Sequence, residues 1–304
     1  MAAPSQQSLI GVGGIYIGLR SGGKLRFVGQ SKEFKLTISE KTEELKDYVK
    51  GGGLADSVSF IEKVEASINL MSMSTKNLAL ALRGVDESTT SVMKTNEEYT
   101  AYQGGLIPLS GVGPTAVTVT LVVADTWATT TPYTVGQIVK PLAGTHFYKC
   151  KTAGTSAASA PIWKSDGSDT TDGTATWTDM GTMVLTSSEY EITAAGIFIP
   201  ENSSKIAAEG TLVKITYTTT SGSIIQALVN SGEEYRIVFS GKNRARAGKP
   251  LSVDIYRAKF SPAKDFSFIG DTFADLSLTA SVLSDDTKIG DDISSFCKIE
   301  MVEA

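Results

Sequence analysis

The chain predicts an all-β protein of antiparallel sheets with one short flanking helix. Three observations carry that prediction. Apolar and polar residues alternate, as where Phe34, Leu36 and Ile38 interleave with Lys35, Thr37 and Ser39; period two puts one set on one face of a strand. Turn signals recur at short intervals, among them Pro200, Ser221-Gly222, Ser231-Gly232, Gly248 and Gly270. No regular alternation of strands with long helices supports a parallel sheet, and many short strands at such spacing form a sandwich or a barrel.

The elements follow in order. Gly11-Val12-Gly13-Gly14 lacks the downstream Gly-Lys-Ser/Thr of a phosphate loop, so it reads as a turn or flexible arm. The first strand covers 34–39. Val58, Phe60, Val64, Ala66, Ile68 and Leu70 share one parity and make a second strand with one buried face. Between them lie Glu40, Glu43, Glu44 and Asp47 with Lys41, Lys46 and Lys50, then Gly51-Gly52-Gly53. Glu precedes Lys there, which would suit a helix over 43–50. The preferred reading is a long hairpin with projecting charged arms and a glycine tip, either solvated or a contact arm to a neighbour. Ser74 or Thr75 can cap a helix running from Lys76 to Arg83 that Gly84 closes, with Leu78 and Leu82 on its buried face. Strands follow at 104–109, 117–120, 190–199, 212–218, 223–229, 235–239, 251–260, 276–283 and 296–302.

Residues 124–182 differ from their surroundings. They hold all three tryptophans (Trp127, Trp163, Trp177), the single histidine, His146, and Cys150. Trp127, Tyr133, Tyr148, Trp163 and Trp177 can build a small core without much other apolar content. Gly136, Gly144, Gly154 and Gly173 mark its turns. The expected division is a body of 1–123 and 183–304 with a self-contained β module of 124–182 inserted in a loop.

Composition limits function. At 304 residues the chain can bury a large core without disulfide staples, so Cys150 and Cys297 are expected as free thiols. A formal net charge of -5 opposes gripping nucleic acid or an anionic membrane surface. Met1 to Ser8 lacks a basic and apolar leader, and the apolar run 116–124 is about half the ~18 residues of a membrane span. Nucleophilic catalysis needs a histidine, and His146 reads as a strand residue. A structural zinc site needs about four His or Cys ligands, more than the chain contains. Asp285-Asp286 and Asp291-Asp292 lack EF-hand spacing. No enzyme and no cofactor are expected. Lys242-Asn243-Arg244-Ala245-Arg246-Ala247-Gly248-Lys249 is the basic cluster, at a loop tip: a solvated turn, a patch for another subunit, or a nucleic-acid contact.

Four stretches of the body, in order, resemble the tail tube (major tail) protein of tailed bacteriophages. They are Glu62-Lys63-Val64-Glu65-Ala66-Ser67-Ile68-Asn69-Leu70 followed by Ser74-Thr75-Lys76-Asn77-Leu78; Tyr102-Gln103-Gly104-Gly105-Leu106-Ile107-Pro108-Leu109; Glu189-Tyr190-Glu191-Ile192 with Gly196-Ile197-Phe198-Ile199-Pro200; and Tyr235-Arg236-Ile237-Val238-Phe239-Ser240-Gly241 with Phe273-Ala274-Asp275-Leu276 and Val282-Leu283-Ser284-Asp285. The resemblance covers roughly 1–123 and 183–304. It implies an antiparallel β-sandwich of the tail-tube type, flanked by a helix. It also implies hexameric rings stacked into a hollow virion tail tube that passes DNA without holding it. Made in the host cytoplasm, such a subunit meets copies of itself, a tape measure protein and tail terminator and initiator proteins, and no membrane. Inter-subunit contacts are then expected from Glu43, Glu44, Asp47, Lys50, Gly51, Gly52 and Gly53 and from Arg244 and Arg246.

The inserted module is similar to chitin-type carbohydrate-binding modules, on Trp127, Tyr133, Gly136, Tyr148, Cys150, Gly154, Pro161, Trp163, Asp172-Gly173 and Trp177. That implies a place on the outer surface of a tube and candidate glycan contacts at Trp127, Tyr148, Trp163 and Trp177; the residues by themselves read as core. A carbohydrate-binding adhesion protein and the inner tube of a contractile or secretion apparatus are the alternatives.

Overall fold

The computed structural model describes residues 8–49, 51–230 and 232–302, and is all-β with a single α-helix among them. The chain forms two compact units, Met1–Glu87 with Ser223–Ala304, and Ser88–Gly222. Unit 1 opens with β1 (Gly11–Leu19), β2 (Arg26–Phe27), β3 (Ser31–Lys46), β4 (Leu54–Leu70) and α1 (Thr75–Ala81), and β5 (Val85–Thr89) leads out of it. Unit 2 holds β6 (Met93–Ala101), β7 (Leu106–Pro108), β8 (Thr115–Leu121), β9 (Pro132–Tyr133), β10 (Ile138–Val139), β11 (His146–Thr152), β12 (Gly154–Thr155), β13 (Thr170–Asp172), β14 (Ala175–Thr182), β15 (Glu191–Thr193), β16 (Gly196–Phe198) and β17 (Thr211–Thr218). β18 (Gly222–Gln226), which pairs with β5, leads back to β19 (Tyr235–Asn243), β20 (Lys249–Phe260), β21 (Leu276–Val282) and β22 (Cys297–Met301).

The main sheet of unit 1 is antiparallel, in the order β2-β1-β19-β20-β21-β4-β3, with β22 also on β20. β20 shares one edge between two partners: Leu251 to Ile255 pair with β22, and Ala258 to Phe260 pair with β21. That fork lets the sheet fold over a core of Ile15, Ile17, Ile68, Leu70, Ile237, Ile255, Leu276 and Leu278. Gly11-Val12-Gly13-Gly14, expected as a turn or flexible arm, is instead the start of β1, paired with β19 from Gly11↔Asn243 onward. A Cβ at Gly13 would come within 2.3 Å of Ser240 O, so the glycine permits a close strand approach that other residues would block.

The helix forms where the sequence places it. The Ser74 hydroxyl accepts from Asn77 N at 3.3 Å. Its C-terminus closes with a Schellman pair, Gly84 N to Ala79 O at 2.7 Å and Arg83 N to Leu80 O at 3.3 Å, with Arg83 itself left-handed at φ 47. The most buried side chains are Asn77, Ala79, Leu80 and Ala81, a face rotated from the expected one; Leu78 still packs on the core, half-buried, and Leu82 does not join it. Asn77 explains the rotation: its side chain donates to Val28 O and Ser72 O and accepts from Arg26, so it sits inward, fully satisfied.

Unit 2 begins earlier and ends later than the expected insert. It joins 88–123 and 183–222 to the aromatic segment, so the expected 1–123, 124–182 and 183–304 division does not follow the compact units. Its main core gathers Val119, Leu121, Tyr190, Ile197, Val213, Ile215 and Tyr217. The strand expected at 190–199 is a tight hairpin, β15 to β16, and β16 continues onto β7. Within unit 2, β10-β11-β14-β13 form a four-stranded sheet around a separate core of Trp127, Tyr133, Val139, Tyr148, Cys150, Ala175 and Trp177. The module is not fully self-contained, because Phe147 of β11 packs into the main core of unit 2. Adjacent strand residues face opposite sides, so β11 serves two cores at once.

Candidate assembly interface

β3 and β4 pair over their whole length, but only the end near the sheet has a core to cover. From Ile38 through Lys63 every described side chain is exposed except the partly exposed Asp47. The result is a two-stranded arm, solvated on both faces, and a hairpin without a third strand or a buried face is marginal on its own.

Register sets what each face of the arm carries. Ser39 pairs with Lys63 and Glu40 with Ile61, leaving Glu62 as a bulge. That extra residue reverses the parity of β4. Val58 and Phe60 therefore lie opposite to Val64, Ala66, Ile68 and Leu70, although the sequence puts all six in one series. One arm face holds Leu45, Val58 and Phe60 with the Lys41–Glu43 ion pair at 2.6 Å; Lys41 also lies 5.8 Å from the Phe60 ring centre. The other holds Glu40, Thr42, Glu44, Ser57, Ser59 and Ile61. Leu45, Val58 and Phe60 are 60%, 60% and 47% exposed. About half of each side chain is already covered, so full burial by a partner would add roughly 1–2 kcal/mol apiece.

At the tip, Asp47 N donates to Gly53 O at 2.7 Å and its carboxylate accepts from Val49 N at 2.9 Å. Gly51 and Gly52 have φ of 86 and 94 and open space around them, so the turn's backbone requires glycine there and no packing does. Lys50 lies outside the described residues.

The basic cluster is a loop tip, as expected. β19 ends at Asn243, a single 3-10 turn covers Arg244–Arg246, and Ala247 takes a left-handed conformation before β20. Asn243 organises the turn: its side chain accepts from Ile10 N at 3.0 Å and from Ala245 N at 3.1 Å, and donates to Ser8 O at 3.1 Å. Lys242 and Arg244 are exposed, whereas Arg246 and Lys249 are half-buried.

The candidate glycan contacts fare differently. Trp127, Tyr148 and Trp177 are 3%, 2% and 0% exposed, so their rings offer no free face for a sugar. They pack edge-on and tilted around the half-buried Trp163, at 6.2, 4.3 and 5.9 Å between ring centres. Asp172, itself buried, accepts from Trp127 Nε1 at 2.7 Å, Trp177 Nε1 at 3.0 Å and Ala157 N at 2.8 Å. The tryptophans form a core because one carboxyl group satisfies both indoles. The Asp172-Gly173 spacing was visible in the sequence; its role as acceptor was not. His146 bonds through Nδ1 to both oxygens of Asp179, at 2.9 and 3.0 Å. Cys150 and Cys297 are free.

Two polar clusters tie strands together, one within each unit. In unit 1 Arg20 contacts Asp285 at 2.8 Å and Glu234 at 3.7 Å, and Arg257 contacts Glu234 at 2.6 Å. The Arg20 guanidinium, then Thr287, hold the Asp285 carboxyl well below the usual carboxylate range, and a hydrogen bond from Arg257 lowers Glu234. In unit 2 the hydroxyls of Tyr99 and Tyr217 both donate to Glu97 at 2.8 Å and lower it, while burial and that carboxylate raise Tyr99.

A family model, described as a protein of unknown function, UCP028589, matches residues 8–152 and 170–300. The match runs through both units and most of the aromatic module, passing over 153–169. No curated protein matches the chain.

Proposed function

This chain belongs to the family of proteins of unknown function UCP028589, and we propose that it is a structural subunit that polymerises with copies of itself, as stacked hexameric rings, into the hollow tail tube of a tailed bacteriophage. The observation that carries this reading is the β3–β4 arm, a projecting hairpin with an unburied apolar face. Such an arm is marginal by itself and gains from being covered, and a copy of the same chain is always present. The sheet supports the same reading. Among the described residues β3 pairs only with β4 and β22 only with β20, so both leave an edge open to further strands. Closing such a sheet with its neighbours into a ring removes those edges. A net charge of -5 suits a conduit that lets DNA slide rather than bind. Tape measure, terminator and initiator proteins are the further partners this role requires, and the aromatic module of unit 2 would decorate the outside of the tube.

With Trp127, Tyr148 and Trp177 buried, the adhesion alternative keeps only the half-buried Trp163 as a candidate sugar contact. Negative-stain microscopy of concentrated purified protein tests the tube: hollow rods or rings of constant width are expected. Protein that stays monomeric at every concentration, with or without an initiator, overturns it.

A further inference from the structure

The arm and the basic tip leave the sheet at the same end. Val64, Val282 and Ala258 form one row across β4, β21 and β20. From that row the arm runs from Lys63 to Leu54, and β20 runs in the same direction from Arg257 to Lys249. Both therefore reach about 30 Å past the row, at ~3.3 Å per residue. The fork at β20, which gives that stretch to β22 rather than β21, keeps the two projections on separate strands of the sheet.

Their charges are opposite. On one arm face Glu40 and Glu44 are exposed and, among the described residues, neither has an ion-pair partner; Glu62 stands exposed in the bulge beside them, and Lys46 follows on the same face toward the arm's tip. At the tip Lys242 and Arg244 are exposed, and neither has a carboxylate partner among the described residues. The stretch 242–249 contains four cations and no acid.

We propose that the acidic face of the arm of one copy docks on the Lys242–Arg244 tip of the next copy, side by side and in the same orientation. The inference rests on the tube reading and names the surface that receives the arm. Because both elements point the same way, a neighbour related by rotation alone can present its tip to the arm, without inversion. That contact joins different surfaces, so it repeats around a closed ring. Charge pairing sets orientation and register, while covering Leu45, Val58 and Phe60 on the opposite arm face supplies additional burial energy.

Charge reversal tests it. Glu40→Lys/Glu44→Lys and Lys242→Glu/Arg244→Glu are made in the full chain, and self-association is measured by sedimentation at low salt. All four positions are exposed, and unchanged melting temperatures establish that the variants fold. Each variant alone should associate about tenfold more weakly than wild type or worse. An equimolar mixture should recover wild-type association, because each arm then finds a tip of opposite sign. Wild-type assembly that both variants reproduce, or two weakened variants that do not restore each other, overturns the arm-to-tip contact and leaves the tube standing. A wild-type chain that never associates overturns both.

Discussion

The ring of Phe34 lies 5.9 Å from the ring of Phe239, centre to centre, at an angle of 31°. These residues sit on β3 and β19, which in the sheet order are separated by β20, β21 and β4. In a flat sheet four strand spacings, at about 4.8 Å each, would hold them nearly 20 Å apart. Their contact is therefore the closure of the fold, the place where the two halves of the unit 1 sheet meet across the core. Phe239 also covers two glycines: a Cβ at Gly13 would lie 2.9 Å, and one at Gly241 2.5 Å, from its Cζ.

Removing this contact should be costly. Phe239 is 9% exposed, and Phe239→Ala should destabilise the protein by about 3–4 kcal/mol. Phe34→Ala, only partly buried, should cost less, and the double variant should reveal a coupling of roughly 0.5–1.5 kcal/mol between the rings. Urea unfolding of the three variants measures all of these. Strictly additive effects would mean that the rings do not support each other.

The aromatic module rests on Asp172. Asp172→Ala leaves two indole N–H groups and Ala157 N without their acceptor in a dry core, at about 1–3 kcal/mol for each. Trp127, Trp163 and Trp177 are all in the module, so tryptophan fluorescence reports on it alone. The fluorescence transition of the variant should move to markedly lower urea. A transition that stays in place would assign the module's stability to packing without the carboxylate.

How much of this was legible follows from how local each signal is. Alternation at 235–239, 251–260 and 276–283 marked β19, β20 and β21 because a strand with one buried face repeats every two residues. The Ser74 cap marked the helix start. The inward turn of Asn77 left no mark, since it depends on Val28, Ser72 and Arg26 brought together by the fold. β1 was hidden because Gly13 is held to glycine by the backbone of Ser240 and Gly241 and by Phe239, and Gly14 by the Phe27 ring, neighbours that only the fold brings there. The bulge at Glu62 was equally invisible, and with it the facing of Val58 and Phe60. The arm itself was readable, as charge, glycine and alternation together; the surface it meets is not a local property. The boundary at 88 was missed because β6 and β17 have the same alternation as the strands of unit 1, while their separate core becomes evident only through contacts.

The Arg20–Asp285 pair predicts acid sensitivity. Its carboxyl is held below the ordinary range by the Arg20 guanidinium. A carboxyl lowered in the folded state contributes stability that is fully present above the unfolded value, near 4, and fades as pH falls toward the folded value. Asp285→Asn should therefore melt several degrees below wild type at pH 7, and the gap should narrow steadily below about pH 4. Calorimetry across pH 2 to 7 checks this. A gap independent of pH would place the effect in how asparagine packs in the loop rather than in the charge of Asp285, which both Arg20 and Thr287 stabilise.

The apolar face of the arm should matter for assembly and not for the fold of the subunit. Val58 and Phe60 touch no core in the isolated chain, so Val58→Ser/Phe60→Ser should change subunit stability by no more than about 0.5 kcal/mol. If a neighbour buries them, the same change removes about 2–3 kcal/mol from each contact, on the order of thirtyfold or more in association. The two readouts move together in one case only: an arm that folds back on its own subunit would lose stability with the substitution. Thermal melting at dilute concentration, set beside sedimentation at high concentration, separates an arm built for a partner from one that is merely exposed, because only the former leaves the melting temperature fixed while the assembled fraction collapses.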